Sequence, residues 1–127
     1  MWIWKNKTID HISKVPNDAI GFIYKITNND TGEYYIGKKN LWAIRSSTRK
    51  GSKKKVKVTK ESNWLKYKSS SAIVKSWDNI TKEILEFSNT KRGLTYLEAK
   101  YLFKNDALED TKCMNRSILG KFFSQNA

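Results

Sequence analysis

Residues 21 to 37 constrain this chain more than any other stretch, because they read as two strands joined by a tight polar turn. Gly21-Phe22-Ile23-Tyr24 opens the first run and Tyr34-Tyr35-Ile36-Gly37 forms the second, with Asn28-Asn29-Asp30-Thr31-Gly32 in the middle. Asn, Asp and Gly between aromatic and β-branched flanks make a β-hairpin the economical reading. Register decides what such a hairpin can do, since a one-residue slip sends a side chain to the other face. Pairing Thr27 with Glu33 would put Tyr24 and Tyr35 on opposite sides. Pairing Asn28 with Glu33 instead puts Ile26 opposite Tyr35 and makes Tyr24 its diagonal neighbour, roughly 7–8 Å away. Two phenols acting together require this second register.

The chain has 127 residues and contains five Trp, six Tyr and five Phe, enough for one core. A single domain is expected over 1–127, with the motif-bearing part at 20–116. One cysteine, Cys113, and one histidine, His11, leave no internal disulfide and no structural zinc site, which fits a reducing cytoplasm. His11 reads as a surface or packing residue. No apolar run is long enough for a signal-peptide core or a membrane span. The net charge is +13, which points to a polyanionic partner. From Tyr34 to Lys60 there is no acid, while Lys38, Lys39, Arg45, Arg49, Lys50, Lys53, Lys54, Lys55, Lys57 and Lys60 all fall there. With Lys66 and Lys68, these are the candidate nucleic-acid contacts, and a basic insertion is expected over about 51–68.

Asn40 is a good N-cap before Leu41, Trp42 and Ile44, so a short helix ending near Gly51 is expected, with Arg45 and Arg49 on one face. Residues 51–62 read as a loop with a brief strand at Val56 to Val58. Ser69-Ser70-Ser71 is suited to cap a helix through Ala72, Val74 and Trp77. Ile80 to Phe87 reads as a third strand, with Ile80 and Ile84 on one face and Leu85 and Phe87 on the other. A helix is expected from about Thr95, followed by a short amphipathic element from Asn115 to Phe123 that Gly120 weakens. Trp64 reads as core. Tyr67 is open between core packing and base stacking.

With these residues placed, the chain resembles the GIY-YIG nuclease superfamily, and especially its small phage-encoded endonucleases. Gly21-Phe22-Ile23-Tyr24 stands for Gly-Ile-Tyr with Phe22 inserted, and Tyr35-Ile36-Gly37 matches the second motif. Arg45 follows at the family's spacing, and Glu98 and Asn115 match its later positions. The likeness extends to Thr59-Lys60-Glu61-Ser62 and to Leu94-Thr95-Tyr96-Leu97-Glu98-Ala99-Lys100. It implies an α+β fold with a small three-stranded antiparallel sheet flanked by helices. It also implies hydrolysis of DNA phosphodiesters, RNA not being excluded, with Mg2+ or Mn2+. Tyr24 would then be general base, Tyr35 its partner or a phosphate ligand, Arg45 a transition-state clamp and Glu98 the metal ligand, with Asn115 either positioning a phosphate or shaping a turn. Which tyrosine takes the proton is open. Arg49 stands where the family often has a His or Tyr helper.

A free phenol, with a pKa near 10, is only about one part in a thousand ionised at pH 7. The site must therefore tune it, and Lys38, Arg45, Arg49 and a bound cation are expected to lower the pKa. Glu98 has a structural rival, because Thr95-Tyr96-Leu97-Glu98 fits a capping box. With no appended DNA-reading domain in view, selectivity would come from the insertion, a homodimer, a partner or DNA structure. A silent DNA-binding protein and an accessory protein for an acidic partner are the alternatives.

Overall fold

The computed structural model describes residues 1–48 and 55–123; Arg49, Lys50, Lys53 and Lys54 lie outside them. Strands β1 (Trp2–Trp4) and β2 (Lys7–Ile9) form a hairpin, and a 3-10 turn follows at Ile12–Lys14. Next come β3 (Gly21–Asn28), β4 (Tyr34–Asn40), β5 (Trp42–Thr48) and β6 (Lys55–Glu61). Helix α1 (Ala72–Lys75), β7 (Ile80–Ser88), α2 (Lys91–Lys104), β8 (Ser117–Ile118) and β9 (Phe122–Phe123) complete the described chain. No helix is long and apolar enough to cross a membrane.

The central sheet has five strands in the order β2-β1-β7-β3-β4, with β1 and β7 parallel and the other neighbours antiparallel. This corrects the three-stranded antiparallel expectation: Trp2 to Ile9 is too short to signal strands by alternation, and it gains its partner only from β7. Where β3 and β4 meet, Thr27 pairs with Tyr34 and the Asn28 N–H donates to the Glu33 carbonyl at 2.7 Å. This is the register that brings the two phenols to one face.

On that face Trp2, Phe22, Tyr24, Ile26, Leu41, Trp64 and Ile84 pack as an aromatic-rich core, and the Trp2 Nε1 donates to the Trp64 carbonyl at 2.7 Å. On the other, Ile23, Tyr34, Ile36, Leu94, Leu97 and Leu102 form an aliphatic layer under α2. Leu85 is the extra residue of a bulge, since Ile23 pairs with Glu86 and Tyr24 with Ile84. The bulge returns Phe87 to the aromatic face, against Trp4 at 4.8 Å between ring centroids, so Phe87 and Leu85 do not share a side.

Four further expectations are corrected. The segment after Asn40 is not a helix: Trp42–Thr48 and Lys55–Glu61 pair as a separate two-stranded ribbon, Arg45 opposite Val58. Alternating Trp42, Ile44, Ser46 and Thr48 suits a strand better than Asn40 suits a cap. Helix α2 starts at Lys91, where the Thr90 side chain accepts from the Gly93 N–H, so Thr95 is interior and the Thr95–Glu98 capping box does not form. The final segment is a β-hairpin, β8 with β9, turned at Gly120 with φ +65°. The sequence from Trp64 to Ser69 is likewise no loose insertion, because both of these residues are buried.

Candidate active site

The glycines of the two tyrosine motifs are explained by close approach. Gly37 pairs with Tyr24, and a Cβ there would strike the Tyr24 hydroxyl. A Cβ on Gly21 would lie 2.6 Å from the Lys39 carbonyl oxygen and 2.7 Å from Leu94 Cδ1, so a side chain would push α2 off the sheet. Gly37 therefore makes room for one phenol, and Gly21 makes room for the helix that carries Glu98.

The Tyr24 and Tyr35 ring centroids are 6.3 Å apart and tilted by 32°. Tyr24 is 1% exposed and Tyr35 is half-buried. Burial pushes both phenols above their ordinary pKa, with the Ser69 hydroxyl favouring ionisation of Tyr24 and those of Ser70 and Ser69 that of Tyr35. Among the described residues both phenols therefore move opposite to the expected lowering: desolvation leads, and only the serine hydroxyls oppose it. Glu98 lies within electrostatic reach of Tyr35 and also raises it. Burial raises the Glu98 carboxyl too, with Lys38 opposing. The Lys38 ammonium itself donates to Thr95 Oγ1 at 3.1 Å, one turn before Glu98 on α2.

Two residues that sequence reasoning left aside belong to this site. Tyr67 packs edge-on to Tyr24, with 5.9 Å between centroids, and the Lys39 ammonium sits 4.2 Å from the Tyr67 ring centre. Ser69 is buried with φ +93°, a conformation that L residues rarely adopt, and its hydroxyl accepts from the Ser71 N–H at 3.1 Å. The serine run is part of the family likeness as well as a cap for α1, and Ser71 occupies that cap without a side-chain hydrogen bond. Buried strain beside two phenols is a mark of a functional site.

Asn115 is also buried, and it completes the outer edge of β4. The Ile36 N–H donates to its Oδ1 at 2.9 Å, and its Nδ2 donates to the Ile36 carbonyl at 2.7 Å. One side-chain amide thereby imitates a neighbouring strand, leaving the edge paired. Met114 N–H donates to the Tyr34 carbonyl at 2.8 Å, so the segment through Cys113 follows the same edge.

The remaining basic candidates disperse. Lys60 and Lys66 are exposed, and Lys55 and Lys57 lie on β6. The Lys68 ammonium donates to the carbonyls of Lys75 and Trp77, which makes it a cap for α1 rather than a free cation. His11 is exposed and caps the 3-10 turn through its Nδ1, as a surface residue would.

Among the described residues no cluster of three or more His, Cys, Asp or Glu could hold a metal ion. A half-buried Glu98 whose charge is opposed by the Lys38 ammonium still fits a divalent cation, because magnesium keeps several waters and borrows phosphate oxygens. No curated protein and no solved structure matched the chain. The family model described as "Putative endonuclease segE, GIY-YIG domain" matches residues 2–121, and the chain accordingly belongs to the GIY-YIG nuclease family.

Proposed function

We propose that the protein is a divalent-metal-dependent endonuclease acting on duplex DNA, phage-encoded and working in the bacterial host cytoplasm. The observation that carries this reading is the Tyr24–Tyr35 ring pair, 6.3 Å between centroids, with the Glu98 carboxyl near enough to raise the Tyr35 phenol. A cation held by Glu98, Mg2+ or Mn2+, would neutralise phosphate charge as it grows.

Exposure favours Tyr35 over Tyr24 as the base. Tyr24 is 1% exposed and cannot meet water without rearrangement, whereas half-buried Tyr35 can. Tyr35 is therefore assigned as the group that takes the proton from the attacking water, and Tyr24 as the phenol that orients it. Tyr67, from the segment between β6 and α1, supplies an aromatic contact to Tyr24 where the family often has a His or Tyr helper. Arg45 clamps the phosphate, and Asn115 is a positioning residue that holds β4 straight.

The β5–β6 ribbon continues directly from β4 through buried Leu41, with the Ser62 N–H donating to the Leu41 carbonyl at 2.8 Å. Each strand has seven residues, about 24 Å at 3.4 Å per residue, and a two-stranded ribbon fits the roughly 12 Å major groove. Arg45, Lys55, Lys57 and Lys60 all lie on it. This ribbon is the element that would track duplex DNA, with Lys38, Lys39, Lys66 and the basic residues 49–54 adding charge.

Supercoiled plasmid incubated with Mg2+ or Mn2+ tests the reading. Wild type is expected to nick or linearise it, while Glu98→Gln and Arg45→Ala leave it intact. A second reading, a silent DNA-binding protein, draws on the burial of Tyr24; plasmid that is bound yet never cut under either metal would favour it.

A further inference from the structure

We infer that the cleft beside Tyr35 is a subsite for the nucleotide next to the scissile phosphate, gripped by Arg116. The identity of the substrate rests on the nuclease reading; the phosphate site itself does not. The cleft has a volume of about 370 Å³ and runs from Tyr35 between α1 and the strand-edge segment, with Ser71, Ile73, Met114, Arg116 and Ser117 on its walls. That volume is of small-ligand size. Because Tyr35 forms one wall, a strand with its reacting phosphate at the tyrosines has this cleft as its adjoining space.

The chemistry of the walls suits one nucleotide. Ile73, 46% exposed, and half-buried Met114 offer an apolar surface for a sugar or base. Ser71 and Ser117 offer hydroxyls, and Arg116 offers a planar fork of donors that matches phosphate oxygens. The single ion pair among the described residues is Lys14–Asp10, so no described carboxylate neutralises Arg116. Its backbone is held on both sides: Asn115 is clamped to Ile36, and Ile118, 1% exposed, is anchored in the aliphatic core. An exposed guanidinium on a fixed backbone loses less freedom when it binds. The two clamped neighbours also explain how an arginine far along the chain comes to stand beside a β4 tyrosine.

Two measurements on the full chain test this. Binding to duplex DNA is followed across a salt series for wild type, Arg116→Ala and Arg116→Gln, with Lys7→Ala, far from the cleft on β2, as control. Loss of one phosphate contact should flatten the log–log salt slope by about 0.9 in both Arg116 variants and leave the control unchanged. Cleavage is then measured on a duplex built around a mapped wild-type cut site, with a neutral methylphosphonate at each neighbouring phosphate in turn. At one neighbour, wild type should slow about tenfold, Arg116→Ala should be equally slow on unmodified DNA, and combining the two should add no further penalty. A wild-type salt slope in both Arg116 variants, or penalties that multiply at every neighbour, would overturn the subsite. A protein that shows the altered slope but never cuts keeps the phosphate site and defeats the nuclease reading instead.

Discussion

On one face of the central sheet Trp2, Phe22, Tyr24 and Trp64 pack as a core with half-buried Tyr35 against it, whereas on the other Ile23, Ile36, Leu94 and Leu97 form an aliphatic layer beneath α2. Tyr34 and Tyr35, adjacent on β4, divide between these faces. The Tyr34 hydroxyl donates to Asp110 Oδ2 at 2.6 Å, with the Lys25 ammonium 4.6 Å from its ring centre, and so ties the segment after α2 to the sheet. Tyr35 instead faces Tyr24 and lies near Glu98, with the Ser70 and Ser69 hydroxyls hydrogen-bonded to its phenol. The pleat thus puts two adjacent phenols in different surroundings, and the proposed chemistry falls to Tyr35.

The sharpest way to break this comparison is to remove each hydroxyl. Tyr35→Phe is expected to reduce kcat on plasmid DNA by about 10²–10⁴-fold with its melting temperature nearly unchanged. Tyr34→Phe should cut within about twofold of wild type yet lose about 1.5–3 kcal/mol in urea unfolding, the value of a hydrogen bond to a charged group. Equal losses of activity from the two would show that the faces do not divide the work.

Gly37→Ala tests the aromatic face by crowding. Displacing the Tyr24 ring should cost about 1–3 kcal/mol of stability, as overpacking does, and most of the activity. Asn115→Ala probes the strand edge: stripping both partners from Ile36 should cost about 2–4 kcal/mol and lower activity through a displaced β4. If it lowers activity at full stability, Asn115 touches substrate.

The pH profile distinguishes the faces by titration. The Tyr35 phenol is raised above its ordinary value, so its ionised fraction, and with it the rate, should climb about tenfold per unit from pH 6 to 9 without a plateau. A rate flat over that range would remove the tyrosine base. Lys82 gives the smallest effect and one of stability alone. Its ammonium lies 4.3 Å from the Trp2 ring centre and donates to the Leu65 carbonyl at 3.3 Å, and burial lowers its pKa from 10.5 to about 8. Between those values the unfolded chain holds the extra proton, so stability should rise as pH climbs from about 8 to 10.5. Lys82→Met should flatten that rise and add on the order of 1 kcal/mol at pH 7.

How much of this was legible in the chain varies from residue to residue. The hairpin register could be argued because polar turn residues and alternating flanks bound it on both sides, and the structure has Ile26 opposite Tyr35. Trp64 was readable as core. Of the β5–β6 ribbon only the brief strand at Val56 to Val58 was legible, because Asn40 looks like a helix cap and hides β5. Glu98 was identified, but its capping rival fell only when Thr90, not Thr95, proved to begin α2. Tyr67 and Ser69 could not be assigned at all, since nothing local distinguishes them from other aromatics and serines.

By itself, the sequence determined the two tyrosine motifs, their turn and the strong positive charge, all of which depend on neighbouring residues or on simple counts. Tertiary structure decided the rest. Trp2 and Ile3 needed β7 to become a strand, Tyr67 needed the β3 face to meet Tyr24, and Arg116 needed the Asn115–Ile36 clamp to stand beside Tyr35. Such contacts join residues far apart in the chain, and their free energy exists only once the sheet has formed to present both partners.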